Sequence, residues 1–202
     1  MKILSFDIED WFHILDNKST RNEEDWNNFE TRIHIGLDII FKLLEDSKNS
    51  ATFFVLGWVA QKYPNLVRKI SDKGFNIGSH SHLHKLAYEQ NKANFKSDVE
   101  TSIKVIEDCI GKKVTSFRAP GFSIKEKNKW AFEALYELGI TTDSSVFPAG
   151  RAHGGLAQYK YPFPSLLKYN GIELREFPIN TKSILSNPFI FSGGGYFRFF
   201  PY

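Results

Sequence analysis

Phe75-Asn76-Ile77-Gly78-Ser79-His80-Ser81-His82-Leu83-His84 is the stretch on which the fold turns. Phe75 to Gly78 reads as a short strand. It runs straight into a turn that holds three of the chain's six histidines. Barrels and open α/β sheets build their active sites where a strand ends and a loop begins. The same pattern recurs on both sides. Upstream, Lys2 to Ile8 reads as a buried strand with Asp7, Glu9 and Asp10 at its C-terminal end. The polar stretch Asp16 to Asn28 reads as a long loop, of the kind that is often functional. Ile33, Leu37, Ile40, Phe41 and Leu44 then follow at helical 3–4 spacing. Ala51 to Leu56 is a second strand, and Trp58 to Ser71 is helical, with Pro64 opening a new segment.

Downstream, Asn94 to Ile110 predicts a helix with Val99, Ile103 and Ile106 on one face, stopped by Gly111. Val114 to Arg118 is a further strand, ended by Ala119-Pro120-Gly121. Lys127 to Leu138 is a helix stopped by Gly139, and Ile140 to Thr142 leads into Asp143-Ser144-Ser145. Strands and helices alternate, which predicts an α/β fold with parallel strands. Beyond Phe147 the prolines at 148, 162, 164, 178, 188 and 201 break the chain into loops and short strands. There is no internal repeat and no clear linker, so one domain over residues 1–202 is expected.

Composition narrows the function. The chain has 202 residues, 42% hydrophobic and 24% charged, with a formal net charge of +3. Lysine and arginine are spread along it, which leaves no nucleic-acid footprint. A single cysteine, Cys109, rules out an intrachain disulfide. No apolar run approaches the roughly 20 residues of a membrane span. Charges follow the first apolar run almost at once, so no signal peptide is read and a cytoplasmic location is expected. The 19 Phe, 8 Tyr and 4 Trp mostly serve a core, with a few available to line a sugar groove. Composition does not bear on the oligomeric state.

The chemistry lies in two clusters. Imidazole is a common zinc ligand, and His80 and His84 can meet one metal if the backbone curls into a turn. A hydrolytic site takes two histidines and one carboxylate and leaves a position for water. Asp7-Ile8-Glu9-Asp10 supplies three acids in four residues. Asp7 and Glu9 share a strand face, and Asp10 stands at the loop entrance. Carboxylates so crowded repel unless a cation or a shared proton relieves them. One can bind metal while another accepts a proton from water.

Ser5-Phe6-Asp7, Gly78 to His84 and Phe117-Arg118-Ala119-Pro120-Gly121, in that order, resemble the motifs of the polysaccharide deacetylase family, carbohydrate esterase family 4. Asp143-Ser144-Ser145-Val146-Phe147-Pro148 and Ser192-Gly193-Gly194-Gly195-Tyr196-Phe197-Arg198 resemble its branch associated with exopolysaccharide and surface glycans. The resemblance implies a distorted (β/α) barrel of the NodB-homology type with fewer than eight parallel strands. It implies a hydrolase that removes N-acetyl groups from a polysaccharide or surface glycan and releases acetate, using a divalent metal, zinc foremost. Asp7 matches the catalytic base and Arg118 the arginine that orients it. His80 and His84 match the metal histidines, and Asp143 the acid that supports the catalytic region. Pro120, Gly121 and Phe122 match the groove wall, and Tyr196 and Arg198 are further substrate-binding candidates. The usual paired aspartates are broken by Ile8, which leaves Glu9 or Asp10 as the metal carboxylate. The family's late Leu-x-His motif, which carries the general acid, does not occur before Tyr202. His82 and His153 are local substitutes, and C-terminal truncation is another explanation. Two alternatives use the same residues: an inactive glycan-binding or scaffold relative, and a deacylase of a small lipid- or nucleotide-linked sugar.

Overall fold

A computed structural model describes residues 3–190 apart from 16, 21, 151, 152, 160, 185 and 186. The chain forms two compact units, Met1–Lys85 with Ser97–Val114, and Leu86–Lys96 with Thr115–Tyr202. Among the described residues no helix is long and apolar enough to cross a membrane.

In the first unit, strands β1 (Ser5–Ile8), β2 (Thr52–Val55) and β3 (Asn76–Ser79) lie side by side and parallel. Phe6 pairs with Phe53, and Phe54 with Gly78. Parallel neighbours need a crossover. Helix α1 (Ile33–Ser47) supplies the first, and α2 (Gly57–Lys62) with α3 (Pro64–Asp72) supplies the second. The face predicted for α1 is the one it buries, through Ile33, Leu37, Phe41 and Leu44. Pro64 begins α3, where a missing N–H costs nothing. Phe53, Val55, Val59, Val67, Ile70 and Ile106 complete a core with almost no exposure. The polar stretch after β1 contains two short 3-10 turns, Lys18–Thr20 and Glu23–Asn28.

In the second unit, β4 (Ser116–Phe117), β5 (Thr142–Asp143) and β7 (Ile172–Glu176) are parallel, and β6 (Ser165–Tyr169) runs antiparallel to β7. The β6–β7 hairpin turns at Asn170-Gly171, both with positive φ, as a tight right-twisted hairpin requires. Helix α5 (Trp130–Glu137) joins β4 to β5. Phe95, at the start of α4 (Lys92–Ile110), packs edge-on against Phe117 and Trp130. A further hairpin, β8 (Thr181–Ile184) with β9 (Asn187–Ile190), follows. The parallel strands thus number six among the described residues, three in each unit.

Candidate active site

β1 and β3 both flank β2, so the residues that follow them leave the same edge of the sheet. The ladder continues into the turn, because His80 donates its backbone N–H to Val55 O at 2.9 Å. The turn then doubles back over the start of α2. Gly57 and Trp58 donate to the carbonyls of Ser81 and His82 at 2.8 and 3.1 Å. The Asp98 carboxylate accepts from the backbones of His82 (2.8 Å) and Leu83 (3.1 Å). Ser81 and His84 sit at φ 65° and 54°, a left-handed conformation that non-glycine residues adopt only when their surroundings hold it. The curl required of the backbone is therefore present.

It brings ligand atoms of Glu9, His80 and His84 within 4.8 Å of one another. His84 Nε2 lies 2.8 Å from Glu9 Oε2, and the rings of His80 and His84 are 5.1 Å apart. Both histidines are buried. Glu9 Oε2 is buried too, and despite the nearby imidazole it makes no hydrogen bond of acceptable geometry. Burial would raise the Glu9 pKa, but the charge and proximity of His84, with His80 behind it, hold it below the ordinary carboxylate value. Burial would lower the His84 pKa, and the Glu9 carboxylate outweighs it, with Asp7 adding to the effect. Lone-pair donors that converge without satisfying one another fit a cation. Ligands about 2.0–2.1 Å from a tetrahedral zinc stand about 3.3 Å apart, and the three atoms here all lie within 4.8 Å of one another. Two imidazoles and one carboxylate are also the donor set of a hydrolytic zinc site. Asp7 stands beside it, half-buried, with Oδ2 4.0 Å from His80 Nε2.

Asp10 is placed differently. Its Oδ1 accepts from Trp11 N (2.9 Å), capping the 3-10 turn Trp11–His13. Its Oδ2 accepts from Thr31 Oγ1 (2.6 Å), Arg32 N (2.8 Å) and Ile33 N (3.2 Å) at the start of α1. Both oxygens are committed, and Asp10 stands outside the Glu9–His80–His84 group. Of the two carboxylates that the sequence offered, only Glu9 joins the histidines. His13, which sequence reasoning passed over, is buried behind the group. Its Nδ1 accepts from Asp10 N at 2.8 Å, which leaves the proton on Nε2. Burial among Phe12, Trp26 and Trp58 lowers its pKa to about 4. His82, a sequence candidate for the general acid, lies against Gly57, where an added Cβ would come within 2.5 Å of its Nδ1.

The second unit holds the remaining candidates. Arg118 follows β4 and donates through Nε to Ser144 O (3.2 Å) and through a terminal nitrogen to Ser144 Oγ (2.9 Å). Its guanidinium lies 5.4 Å from the Phe122 ring centre. Pro120, Gly121 and Phe122 form a 3-10 turn, with φ 60° at Gly121 and 53° at Phe122. Gly154 presses on this turn so closely that a Cβ would stand 2.0 Å from Phe122 O. Asp143 is fully buried at the end of β5, beside Glu176 of β7, its register partner. His153, the other sequence candidate for the general acid, is half-buried next to Gly154. Tyr196 and Arg198 lie outside the described residues.

Residues 35–142, more than half of the chain, match the family model for polysaccharide deacetylase. The chain belongs to the polysaccharide deacetylase family. Residues 144–202 match a second model, a domain of unknown function designated DUF3473. A peptidoglycan-N-acetylglucosamine deacetylase of Bacillus cereus is 31% identical over 109 residues, 51% of this chain and 40% of the relative. A second such deacetylase from the same organism is also 31% identical, over 103 residues and 46% of its length. The chain thus spans less than half the length of these relatives. Among solved structures, a candidate polysaccharide deacetylase from Mycobacterium smegmatis aligns with a TM-score of 0.70 at 20% identity, over 96% of this chain and 64% of its own. A family 4 pseudoenzyme from Bacillus anthracis aligns with a TM-score of 0.54 at 17% identity, over 70% and 41%. At these identities the likeness is one of fold, and the fold is the distorted NodB-type α/β architecture expected from the sequence.

Proposed function

We propose that this polysaccharide deacetylase family member hydrolyses N-acetyl groups of a glycan, peptidoglycan or a related surface polysaccharide, and releases acetate. One observation carries the reading: Glu9, His80 and His84 converge beside Asp7 in the first unit. These three residues would hold a divalent cation, zinc by the donor set. Bound there, the cation would supply Lewis acidity toward the acetyl oxygen and toward water.

The chain's own residues supply the rest. Asp7 is the half-buried carboxylate next to the group, and its Oδ2 accepts the proton of the attacking water. Water oxygen then bonds to the acetyl carbon, and the carbon–nitrogen bond breaks as the tetrahedral intermediate collapses. The leaving nitrogen needs a proton, because an amine anion is a poor leaving group. Asp7, protonated by the first step, is the group at this site that returns it. Asp98 keeps the ligand turn in place through the backbones of His82 and Leu83. His13 closes the wall behind His84 with an aromatic shell that excludes water. Arg118 and Asp143 are proposed as supporting residues on their motif resemblance, and hydrogen bonds within the second unit fix them.

The test combines metal analysis with acetate release. The purified protein should bind about one divalent ion and release acetate from N-acetylated glucosamine oligomers or peptidoglycan. His80→Ala/His84→Ala should lose both. A double variant that retains stoichiometric metal would remove the basis of the reading.

A further inference from the structure

Glu176 is a buried carboxyl that the proposed chemistry does not use. It closes β7 directly opposite Asp143 of β5, because the two strands are parallel and Asp143 pairs with Glu176 in register. Register partners on adjacent strands point to the same face. Both residues have zero exposure. Two carboxylates placed so, out of water, repel strongly unless something neutralises one of them.

The hydrogen bonds show which one. Asp143 accepts from Ser145 Oγ at 2.6 Å and from Ser145 N at 3.1 Å, two donors that favour its ionised form. Glu176 Oε1 accepts one backbone N–H, that of Val146, at 3.1 Å. Among the described residues no N–H or O–H reaches Glu176 Oε2, although that atom is buried. Its neighbour is the Asp143 carboxylate, itself an acceptor. Two acceptors make a hydrogen bond only when one of them carries a proton. Among the described residues, the charged and titratable groups that face the pair are Arg118, beyond β4, and the Tyr159 hydroxyl. Of these, one guanidinium balances one carboxylate, which leaves the second carboxyl to be neutral.

We propose that Glu176 is a protonated carboxylic acid that donates its hydrogen to Asp143 and acts as a positioning residue for the Arg118 segment. The route is continuous. Glu176 fixes Asp143, and Asp143 accepts from Ser145 Oγ. That hydroxyl oxygen in turn accepts from the backbone N–H of Ala119 at 2.8 Å, one residue after Arg118. Ser144, between them, accepts from Arg118 and donates to Phe177 O at 2.8 Å, next to Glu176. Ionising Glu176 would place a second negative charge on a lattice built for one. Burial, and then the adjacent Asp143 charge, raise the Glu176 pKa well above its ordinary 4.5, in line with this arrangement. The role for Arg118 rests on the function proposed above; the protonation state does not.

Infrared difference spectroscopy of the full chain at pH 7 separates the two. Wild type should show the carbonyl stretch of a protonated carboxylic acid, and Glu176→Gln should lack it while keeping the wild-type circular dichroism. Glutamine retains an N–H that can reach Asp143, so this variant should fold. A wild-type spectrum without the band, or a band undiminished in Glu176→Gln, would overturn the proposal. A second measurement covers a weak band. An acid whose pKa rises on folding makes stability fall as pH climbs above its unfolded value. Between about pH 5 and pH 8 the wild-type folding constant should therefore decline relative to Glu176→Gln by up to ~10-fold per pH unit. Parallel pH profiles for the two proteins would also overturn it. Neither readout requires activity, so failure of the deacetylase reading would leave both results intact.

Discussion

Glu9 and Glu176 present the same local feature: a buried Oε2 that no donor satisfies. Their neighbours differ. Beside Glu9 stand two imidazoles, which pull its pKa down and keep it charged. Beside Glu176 stands another carboxylate, which pushes its pKa up. An unsatisfied buried oxygen is costly in either place, and the two proposals remove the cost by different means. The first has imidazole nitrogens that can give up their proton and share a lone pair, so under the proposed function a cation would complete it. The second has a surplus of acid, so a proton completes it. A buried orphan oxygen is therefore not by itself a metal site; the donor set around it decides.

Neutralising each glutamate in turn breaks the comparison most sharply. Glu9→Gln removes the anionic ligand and should lower acetate release by ~10³-fold, about 4 kcal/mol of lost metal-assisted stabilisation. Metal affinity should fall with it, read by competition with a chelating dye. Glu176→Gln should leave metal stoichiometry unchanged, because it already mimics the protonated side chain. If the two variants lost metal equally, the proposed division between cation and proton would fail.

Asp10 sharpens the contrast within the first unit, because it shares a loop with Glu9 and serves structure. Asp10→Ala removes a cap and three further hydrogen bonds to a buried carboxylate, and should cost about 3 kcal/mol of stability by denaturant titration. Bound metal should stay near one per chain. Burial alone would raise the Asp10 pKa, but its donors, led by Thr31 and the backbone N–H of Arg32, hold it below the ordinary 3.8. A depressed carboxylate stabilises above its unfolded pKa, and that contribution disappears as pH falls through the folded value. The acid limb of the stability curve should therefore flatten in Asp10→Asn.

These pairs also mark how far the sequence can be read. The alternation of strands and helices was legible because the periods are strong and the stops are chemical. Gly111 and Gly139 end their segments at φ 64° and 81°, a conformation that glycine adopts without strain. The histidine pair was legible because three imidazoles fell within one short turn. The choice between Glu9 and Asp10 was not, since it depends on backbone N–H groups of residues 31–33 that only folding brings to Asp10. Glu176 was invisible for a stronger reason. It gains meaning from the β5–β7 register, which joins positions 143 and 176 across a proline-broken stretch with no periodic signal. His13 and Asp98 were missed likewise, as single residues whose partners lie elsewhere in the chain.

Gly57→Ala tests the backing of the ligand turn. A Cβ there would stand 2.5 Å from His82 Nδ1 and 2.9 Å from the Ser102 backbone. The ring can swing aside, but the helix backbone cannot, so the turn must yield, at a cost of about 2 kcal/mol. Because the His82 backbone is pinned to Asp98, the shift should carry into His80 and His84, and metal affinity should fall together with stability.

The smallest expected effect lies in the second unit. Ser145→Ala removes one hydroxyl that accepts from Ala119 and donates to Asp143. Asp143 keeps the Ser145 backbone N–H and the proton assigned to Glu176, so it is not stranded. The Ala119 N–H is left without its acceptor, and the loss should be about 1–2 kcal/mol. The informative readout is the carboxylic acid band rather than the melting point. With one donor gone from Asp143, the hydrogen shared with Glu176 is held more tightly by the aspartate, and the infrared carbonyl frequency should shift while its intensity persists. A Ser145→Ala protein with an unmoved band would show that the hydroxyl braces the Arg118 segment without acting on the acid pair.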